Sequence, residues 1–328
     1  MTDERETFES LRPLLFAIAY RMLASVSDAE DVLQEAYLRW RRAVDDGVEI
    51  VSLKAWLSTV VTRLAMDHLR SAQVRREEYV GLWLPEPLPT GAADEALVGA
   101  RTDDPLARAE LADSLSMAFL LVLERLSPIE RAAFLLHDVF GYGHDEIATI
   151  VETTPANARQ IASRARRRVQ AERPRFDPSP EERERLAERF FAAVTEGDVE
   201  GLVQVLADDV VVYGDGGGKV PQWSTPIAGV DRVARLWAGV GTQMREVGVW
   251  FEPRRINGQP GAVVRDAAGA VVNALVLDVV GGRVSAIRSV INPEKLGHLG
   301  RVADVRALVA AARRGGARLA EPRSPEAP

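Results

Sequence analysis

The stretch Glu146-Ile-Ala-Thr-Ile-Val-Glu-Thr-Thr-Pro-Ala-Asn-Ala-Arg-Gln-Ile-Ala-Ser-Arg-Ala-Arg-Arg-Arg-Val169 decides how this chain is read. Ile147, Ala148, Ile150 and Val151 form one apolar helical face. The Thr-Thr-Pro turn ends that helix, because proline disfavours helical geometry in the residue before it. A second helix starts near Pro155, where proline is tolerated in a first turn. Its buried stripe is predicted at Ala158, Ile161, Ala162, Ala165 and Val169, which leaves Arg159, Gln160, Ser163, Arg164, Arg166 and Arg167 largely outside it. Residues 159–175 hold seven Arg against one Glu. Two short helices of this kind, the second carrying Arg and Gln among small residues, suit a DNA major groove.

Outward from this stretch, the bulk properties set limits. A chain of 328 residues, 47% hydrophobic, predicts two or three domains with ordinary cores. Its net charge of -7 argues against indiscriminate nucleic-acid binding, so DNA contact has to come from local patches or a larger complex. There is no cysteine, which excludes disulfides, thiol catalysis and Cys-ligated zinc. The four histidines, His68, His137, His144 and His298, are set apart without ligand spacing, so no metal and no cofactor is expected. The acidic, polar start and the lack of a long apolar run predict a soluble cytoplasmic protein without membrane contact.

The first part reads as three helices. Phe8, Leu11, Leu14, Leu15, Ile18, Ala19 and Met22 recur at helical spacing; Ser27-Asp28 opens a second helix with Val32, Leu33, Ala36 and Tyr37; a third runs over about 52–73, with Trp56, Val60, Leu64 and Leu69 on its apolar side. Residues 79–105 form a linker containing Trp83-Leu-Pro-Glu-Pro-Leu88, whose prolines forbid continuous helix. A second helical block at 106–175 ends in the quoted stretch. Past the Pro178-Ser-Pro180 break, helices near 181–196 and 199–207 precede alternating segments at 210–213, 247–251, 262–265, 271–280 and 284–291. Asn257-Gly258 and Gly281-Gly282 are hairpin signals. The expected architecture is two all-α domains followed by an α+β domain at 180–300, its helices packed on a curved antiparallel sheet, and a terminal helix and tail at 301–328.

In this order the motifs resemble the extracytoplasmic-function sigma factors of bacterial RNA polymerase. Asp28-Ala-Glu-Asp-Val-Leu-Gln-Glu-Ala-Tyr-Leu-Arg-Trp40 is similar to the segment that grips the core polymerase, within a first sigma domain at 1–78; the resemblance implies contacts from Asp31, Gln34 and Glu35. Leu53-Lys-Ala-Trp-Leu-Ser-Thr-Val-Val-Thr-Arg-Leu-Ala-Met-Asp-His-Leu-Arg-Ser71 is similar to the element that recognises and melts the minus-10 region. Arg63, Arg70, Arg75 and Arg76 would supply its cationic track. The common family pattern has Asn where this chain has Arg63. The segment 126–148 and the quoted stretch are similar to the minus-35 domain, implying that Arg159, Gln160, Ser163 and Arg164 face the promoter.

The last domain resembles the SnoaL-like, nuclear-transport-factor-2-like domain fused to the sigma-J-like subgroup, on Trp83-Leu-Pro-Glu-Pro-Leu88, Asp215-Gly-Gly-Gly-Lys219 and Asn292-Pro-Glu-Lys-Leu296. The resemblance implies modulation in cis, with Trp83, Pro85, Glu86, Asp215, Gly216, Gly217, Gly218, Lys219, Asn292 and Lys295 as regulatory residues. The glycine run lacks the Gly-Lys-Ser/Thr ending of a phosphate-binding loop, which leaves it as a turn or a dock for the Trp83 linker. Asp215, Asp266 and Asp278 are acids near strands, yet no His or paired-carboxylate spacing supports catalysis, so no catalytic residue is assigned. The expected function is a sigma factor, monomeric when free, with core polymerase and promoter DNA as partners and room for a small-molecule ligand in the last domain. A free-standing helix-turn-helix regulator sensing a ligand, or an isomerase-type enzyme, would leave the polymerase-binding and strand-opening segments without a task.

Overall fold

The computed structural model describes residues 2–77, 79–91, 113–172, 179–223 and 225–314, with the side chains of 2–5, 72–77 and 313–314 outside that description. It divides into one unit of Met1–Tyr79 and Pro85–Pro174 and a second of Val80–Leu84 and Arg175–Pro328.

The first unit is helical. Helices α1 (Thr2–Leu23), α2 (Val26–Asp45) and α3 (Leu53–Glu77) pack together. The second half of α1 is buried on every side, from Leu15 to Leu23, including Arg21, where periodicity predicts a single apolar face. Helix α2 starts earlier than the Ser27-Asp28 signal suggests: Ser25 is its N-cap, its hydroxyl accepting from the Asp28 amide at 3.1 Å. On α3 the buried face is Leu57, Val61, Ala65, Met66 and Leu69, whereas Trp56, Val60 and Leu64 are only half-buried. The expected stripe is therefore displaced around the helix. Two hydroxyls, Ser58 and Thr62, lie fully buried on the true inner face and disguise it as polar. Ser58 satisfies its burial by a 2.7 Å hydrogen bond with the Tyr142 hydroxyl.

The block that follows contains α4 (Met117–Leu123), α5 (Pro128–Phe134), a wide π turn over Leu135–Val139, α6 (His144–Ile150) and α7 (Pro155–Glu172). Ser127 and Glu130 close a capping box on α5, and Pro128 occupies its first turn. Two buried arginines tie this block to α1. Arg131 of α5 donates to the Met22 carbonyl at 2.6 Å and to Glu124 Oε1 at 3.0 Å. Arg21 donates to Ser114 Oγ at 3.1 Å and sits 5.4 Å from the Phe140 ring centroid. Burial pushes each guanidinium down to about 9, so both remain cations at neutral pH.

The second unit is α+β. Helices α8 (Pro180–Glu196), α9 (Val199–Val205) and α10 (Val230–Glu246) accompany six strands: β1 (Leu206–Asp215), β2 (Ile227–Ala228), β3 (Trp250–Ile256), β4 (Gln259–Arg265), β5 (Val271–Val280) and β6 (Arg283–Val290). Helix α11 (Val305–Arg314) follows, and the expected tail beyond it lies outside the described residues. Strand order is β2-β1-β6-β5-β4-β3. The sheet is mixed and not the expected antiparallel one, because β1 pairs with β6 in parallel. Both hairpin signals close tight turns, with φ of 54° and 70° at Asn257-Gly258 and 61° and 70° at Gly281-Gly282. Phe190 packs edge-on against Trp237 of α10, and both join Val210, Val212, Leu275 and Ile287 in the core.

Helix α10 is absent from the sequence expectations, and its two glycines, which weaken helical propensity, are one reason. They have opposite roles. Gly241 lets α10 approach α8, since a Cβ there would lie 1.7 Å from the Val194 carbonyl oxygen, while Gly239 faces open space. Gly241→Ala is expected to destabilise the protein by about 1–3 kcal/mol through overpacking. Gly239→Ala is expected to stabilise it by up to about 1 kcal/mol. Denaturant unfolding of the two variants checks this, and equal effects would remove the distinction.

Candidate functional site

The helix-turn-helix is built as its sequence indicates. Ile147, Ala148 and Ile150 of α6 are buried, as are Ala158, Ile161, Ala162, Ala165 and Val169 of α7. Between the helices Glu152 takes φ of 56°, the left-handed conformation that ends α6, and Thr154 Oγ1 accepts from the Asn157 amide at 3.3 Å to cap α7. Arg159, Gln160 and Arg164 are exposed and Ser163 is half-exposed. The structure thus gathers the four minus-35 candidates on the outer side of one helix. Other arginines of α7 are turned to structural work: Arg166 reaches Asp138 Oδ1 at 2.5 Å and Arg168 reaches Glu130 Oε1 at 3.1 Å. Burial disfavours the Glu130 charge, yet hydrogen bonds from Ser127 and the Arg168 and Arg164 cations outweigh it and hold the carboxyl below its usual range.

His137 and His144, expected to be apart, stack at 4.3 Å between ring centroids, one in the π turn and the other at the start of α6, across a connection in which Gly141 takes φ of 73°. Desolvation, with His137, Arg159 and Arg166 alongside, holds His144 below the ordinary histidine range and therefore neutral at pH 7. Among the described residues no group of three or more side chains gathers as metal ligands. No described helix is long and apolar enough to cross a membrane.

On α2, Asp31 and Gln34 are exposed and Glu35 is half-exposed, opposite the buried Val32, Leu33 and Ala36. A 2.8 Å hydrogen bond from Arg39 holds the Glu35 carboxyl below its usual range. The minus-10 candidates divide. Arg70 is exposed and pairs only locally with Asp67 at 2.7 Å. Arg63 instead turns to the end of α6, donating to the Ile150 carbonyl at 3.0 Å and the Thr149 carbonyl at 2.8 Å. Arg75 and Arg76 lie on the last turns of α3, with side chains outside the described residues.

Within the second unit, three separate sequence motifs converge on one carboxylate. Asp215, fully buried at the end of β1, accepts from the Leu84 amide at 2.8 Å and from Lys295 Nζ at 2.7 Å through Oδ2, and from the Gly217 amide at 3.0 Å through Oδ1. Lys295 also donates to the Leu84 carbonyl at 2.5 Å and lies 4.5 Å from the Trp83 ring centroid. The linker is therefore gripped at Leu84, on both its amide and its carbonyl, by one buried ion pair. Asn292 caps the short turn that carries Lys295, its side chain accepting from the Glu294 amide at 3.1 Å. Gly217 has to be glycine here: its φ is 57° and a Cβ would lie 2.3 Å from Asn292 Nδ2. Gly216 is less tightly confined, a Cβ there lying 2.8 Å from Val220 and Gln222 atoms, while Gly218 rests against Val80. Lys219, the ammonium of the glycine motif, takes no part in the grip and pairs with Glu294 at 3.0 Å at the surface.

Within the first unit, the buried Pro85 leads into Glu86, which crowns α2. The Glu86 carboxylate accepts from the amides of Val26 at 2.7 Å and Ser27 at 3.1 Å and from the hydroxyls of Ser25 and Ser27, each at 2.9 Å. Its own amide donates to the Ala24 carbonyl at 2.9 Å, and its carbonyl accepts from the Tyr20 hydroxyl at 2.7 Å. An acid supplied from sixty residues away gives no local signal of capping, since capping patterns are read only over adjacent residues.

Family profiles match all three parts of the chain: Sigma-70 region 2 over residues 7–75, Sigma-70 region 4 over 116–169 and a SnoaL-like domain over 187–288. The ECF RNA polymerase sigma factor SigJ of Mycobacterium tuberculosis is 38% identical over 302 residues, covering 89% of this chain and 93% of that protein. A probable ECF RNA polymerase sigma factor, SigI, of the same organism is 30% identical over 87% of this chain and 92% of its own length. The crystal structure of SigJ superposes with a TM-score of 0.67 at 35% identity, covering 89% of this chain and 98% of that one.

Removing one member of the buried pair by Asp215→Ala strands the Lys295 cation and is expected to destabilise the second unit by about 3–5 kcal/mol. Lys219→Ala, at an exposed pair, should change stability by less than about 1 kcal/mol. Tryptophan fluorescence during denaturant unfolding measures both; similar losses would show that the grip is not confined to Asp215 and Lys295.

Proposed function

The chain belongs to the extracytoplasmic-function family of RNA polymerase sigma factors, and from that premise we propose that its SnoaL-like domain sets its activity in cis by holding the Val80–Leu84 linker segment. The sigma domains direct the polymerase to promoters for transcription initiation, with core polymerase and promoter DNA as partners, in the cytoplasm where that enzyme works. Asp31, Gln34 and Glu35 meet the core enzyme; Arg63, Arg70, Arg75 and Arg76 track the opened minus-10 strand; Arg159, Gln160, Ser163 and Arg164 face the minus-35 element. The free chain acts as a monomer.

The observation that carries the regulatory reading is the double hold on Leu84 by Asp215 and Lys295. Such a hold fixes the linker's register through backbone atoms while both partners lie in another part of the chain. Regulation by catalysis is disfavoured, because the acids near the strands are already committed. Asp215 holds Leu84 and Lys295, Asp278 Oδ2 accepts from Arg288 at 2.7 and 3.1 Å, and Asp266 Oδ1 accepts from Ala268 and Ala270 of its own turn at 2.9 and 2.8 Å.

Promoter-dependent transcription by core polymerase tests both parts. Arg159→Ala and Arg164→Ala are each expected to reduce transcript by about tenfold, the equivalent of a contact of about 1–3 kcal/mol, while core binding persists. A reduction that is uniform across promoter sequences, with a shallower salt slope, marks a phosphate contact, and one confined to certain sequences marks base readout. Trp83→Ala removes the ring beneath Lys295 and leaves Asp215 in place. It is expected to change transcript yield by about two- to fivefold, the range open to a cation–π contact of about 0.5–1 kcal/mol. Unchanged output would count against control through the linker.

A further inference from the structure

Arg63 and Arg70 are seven residues apart on α3, two turns of helix, and so share one side of it. Only Arg70 stands clear, and the three nitrogens of the Arg63 guanidinium are all engaged by the helix-turn-helix. Nε donates to the Ile150 carbonyl at 3.0 Å, Nη2 to the Thr149 carbonyl at 2.8 Å, and Nη1 lies 3.2 Å from Glu152 Oε1. The two carbonyls are the last of α6, where helical geometry leaves oxygens without an intrahelical donor and the helix dipole favours a cation. The left-handed turn at Glu152 sets its carboxylate beside them.

We infer that Arg63 has two alternative positions: at rest it latches α3 to the end of α6, and on promoter opening it leaves that latch for the phosphates of the separated strand. This rests on the reading of Arg63 as a minus-10 residue. One guanidinium fork cannot serve two carbonyls and a carboxylate while also embracing a phosphate, so the latch and the strand compete. The latch suits reversal. Its side chains are 40% and 74% exposed, and exposed ion pairs are weak and easily displaced. Nearby ties of the same unit, Ser58 of α3 with Tyr142 of the loop before α6 and Arg131 of α5 with the Met22 carbonyl of α1, are buried and involve no group assigned to DNA. Arg63 is the tie that DNA itself can take over, so strand binding and release of the latch are one event.

Because the chain has no cysteine, cysteines placed at the exposed Glu49 and Gln170 of the full-length protein carry spin labels at two unique sites. The probe is a single-stranded DNA oligonucleotide of randomised sequence, since phosphate contact needs no particular bases. Adding it is expected to lengthen the distance between labels. Glu152→Gln, which weakens the latch and leaves the cation free for DNA, should tighten strand binding by about two- to fivefold, the span of an exposed ion pair. Arg63→Ala should show a longer-distance component without DNA and weaker strand binding, whereas Arg70→Ala should weaken binding and leave the resting distance alone. An unchanged distance at saturating strand, or unchanged strand affinity in Glu152→Gln, overturns the latch. Failure to support promoter-specific transcription with core polymerase overturns the minus-10 reading beneath it, so the two failures are distinguishable.

Discussion

A helix end buried away from water has to find its hydrogen-bond partners in the protein, and the first unit is arranged around that requirement. The α1–α2 junction is buried, so the last carbonyls of α1 and the first amides of α2 have no solvent to turn to. Arg131 supplies the donor for Met22, the Glu86 amide supplies one for Ala24, and the Glu86 carboxylate supplies the acceptor for Val26 and Ser27. These partners come from α5 and from the linker. The helix proposed to meet the polymerase therefore has its starting point set by distant parts of the same chain.

The second unit answers the same demand with an ion pair. A buried carboxylate or ammonium alone is strongly unfavourable, so Asp215 and Lys295 each need the other and further hydrogen bonds besides. The remaining bonds go to the backbone of Leu84 and Gly217. A hold on backbone atoms is indifferent to the linker's side-chain identity at Leu84 and specific for its register. The Trp83 ring adds a side-chain contribution, by facing the ammonium that closes the grip.

The sequence makes local periodic structure plain and distant pairing obscure. The buried stripe of α7 was legible to the residue, because small and branched apolar side chains alternate with arginine at helical spacing. The stripe of α3 is displaced from the one its apolar spacing suggests, sharing only Leu69 with it, because Ser58 and Thr62 are buried polar groups, and the partner that satisfies Ser58, Tyr142, lies far along the chain. Hairpin turns announced antiparallel neighbours, while the parallel β1–β6 pairing has no turn of its own to announce it. At the linker site the motifs Trp83–Leu88, Asp215–Lys219 and Asn292–Leu296 were visible. Which lysine would close the pair was not: Lys219 adjoins the aspartate in sequence, and Lys295 adjoins it in space.

The linker also has a place in the order of synthesis. Leu84 leaves the ribosome 131 residues before Asp215 and 211 before Lys295, while the helices of the first unit end with Glu172 of α7. Domains fold as they emerge, N-terminal first. Each newly made molecule consequently passes through an interval in which its promoter-binding half is complete and the residues that will hold its linker have yet to be translated.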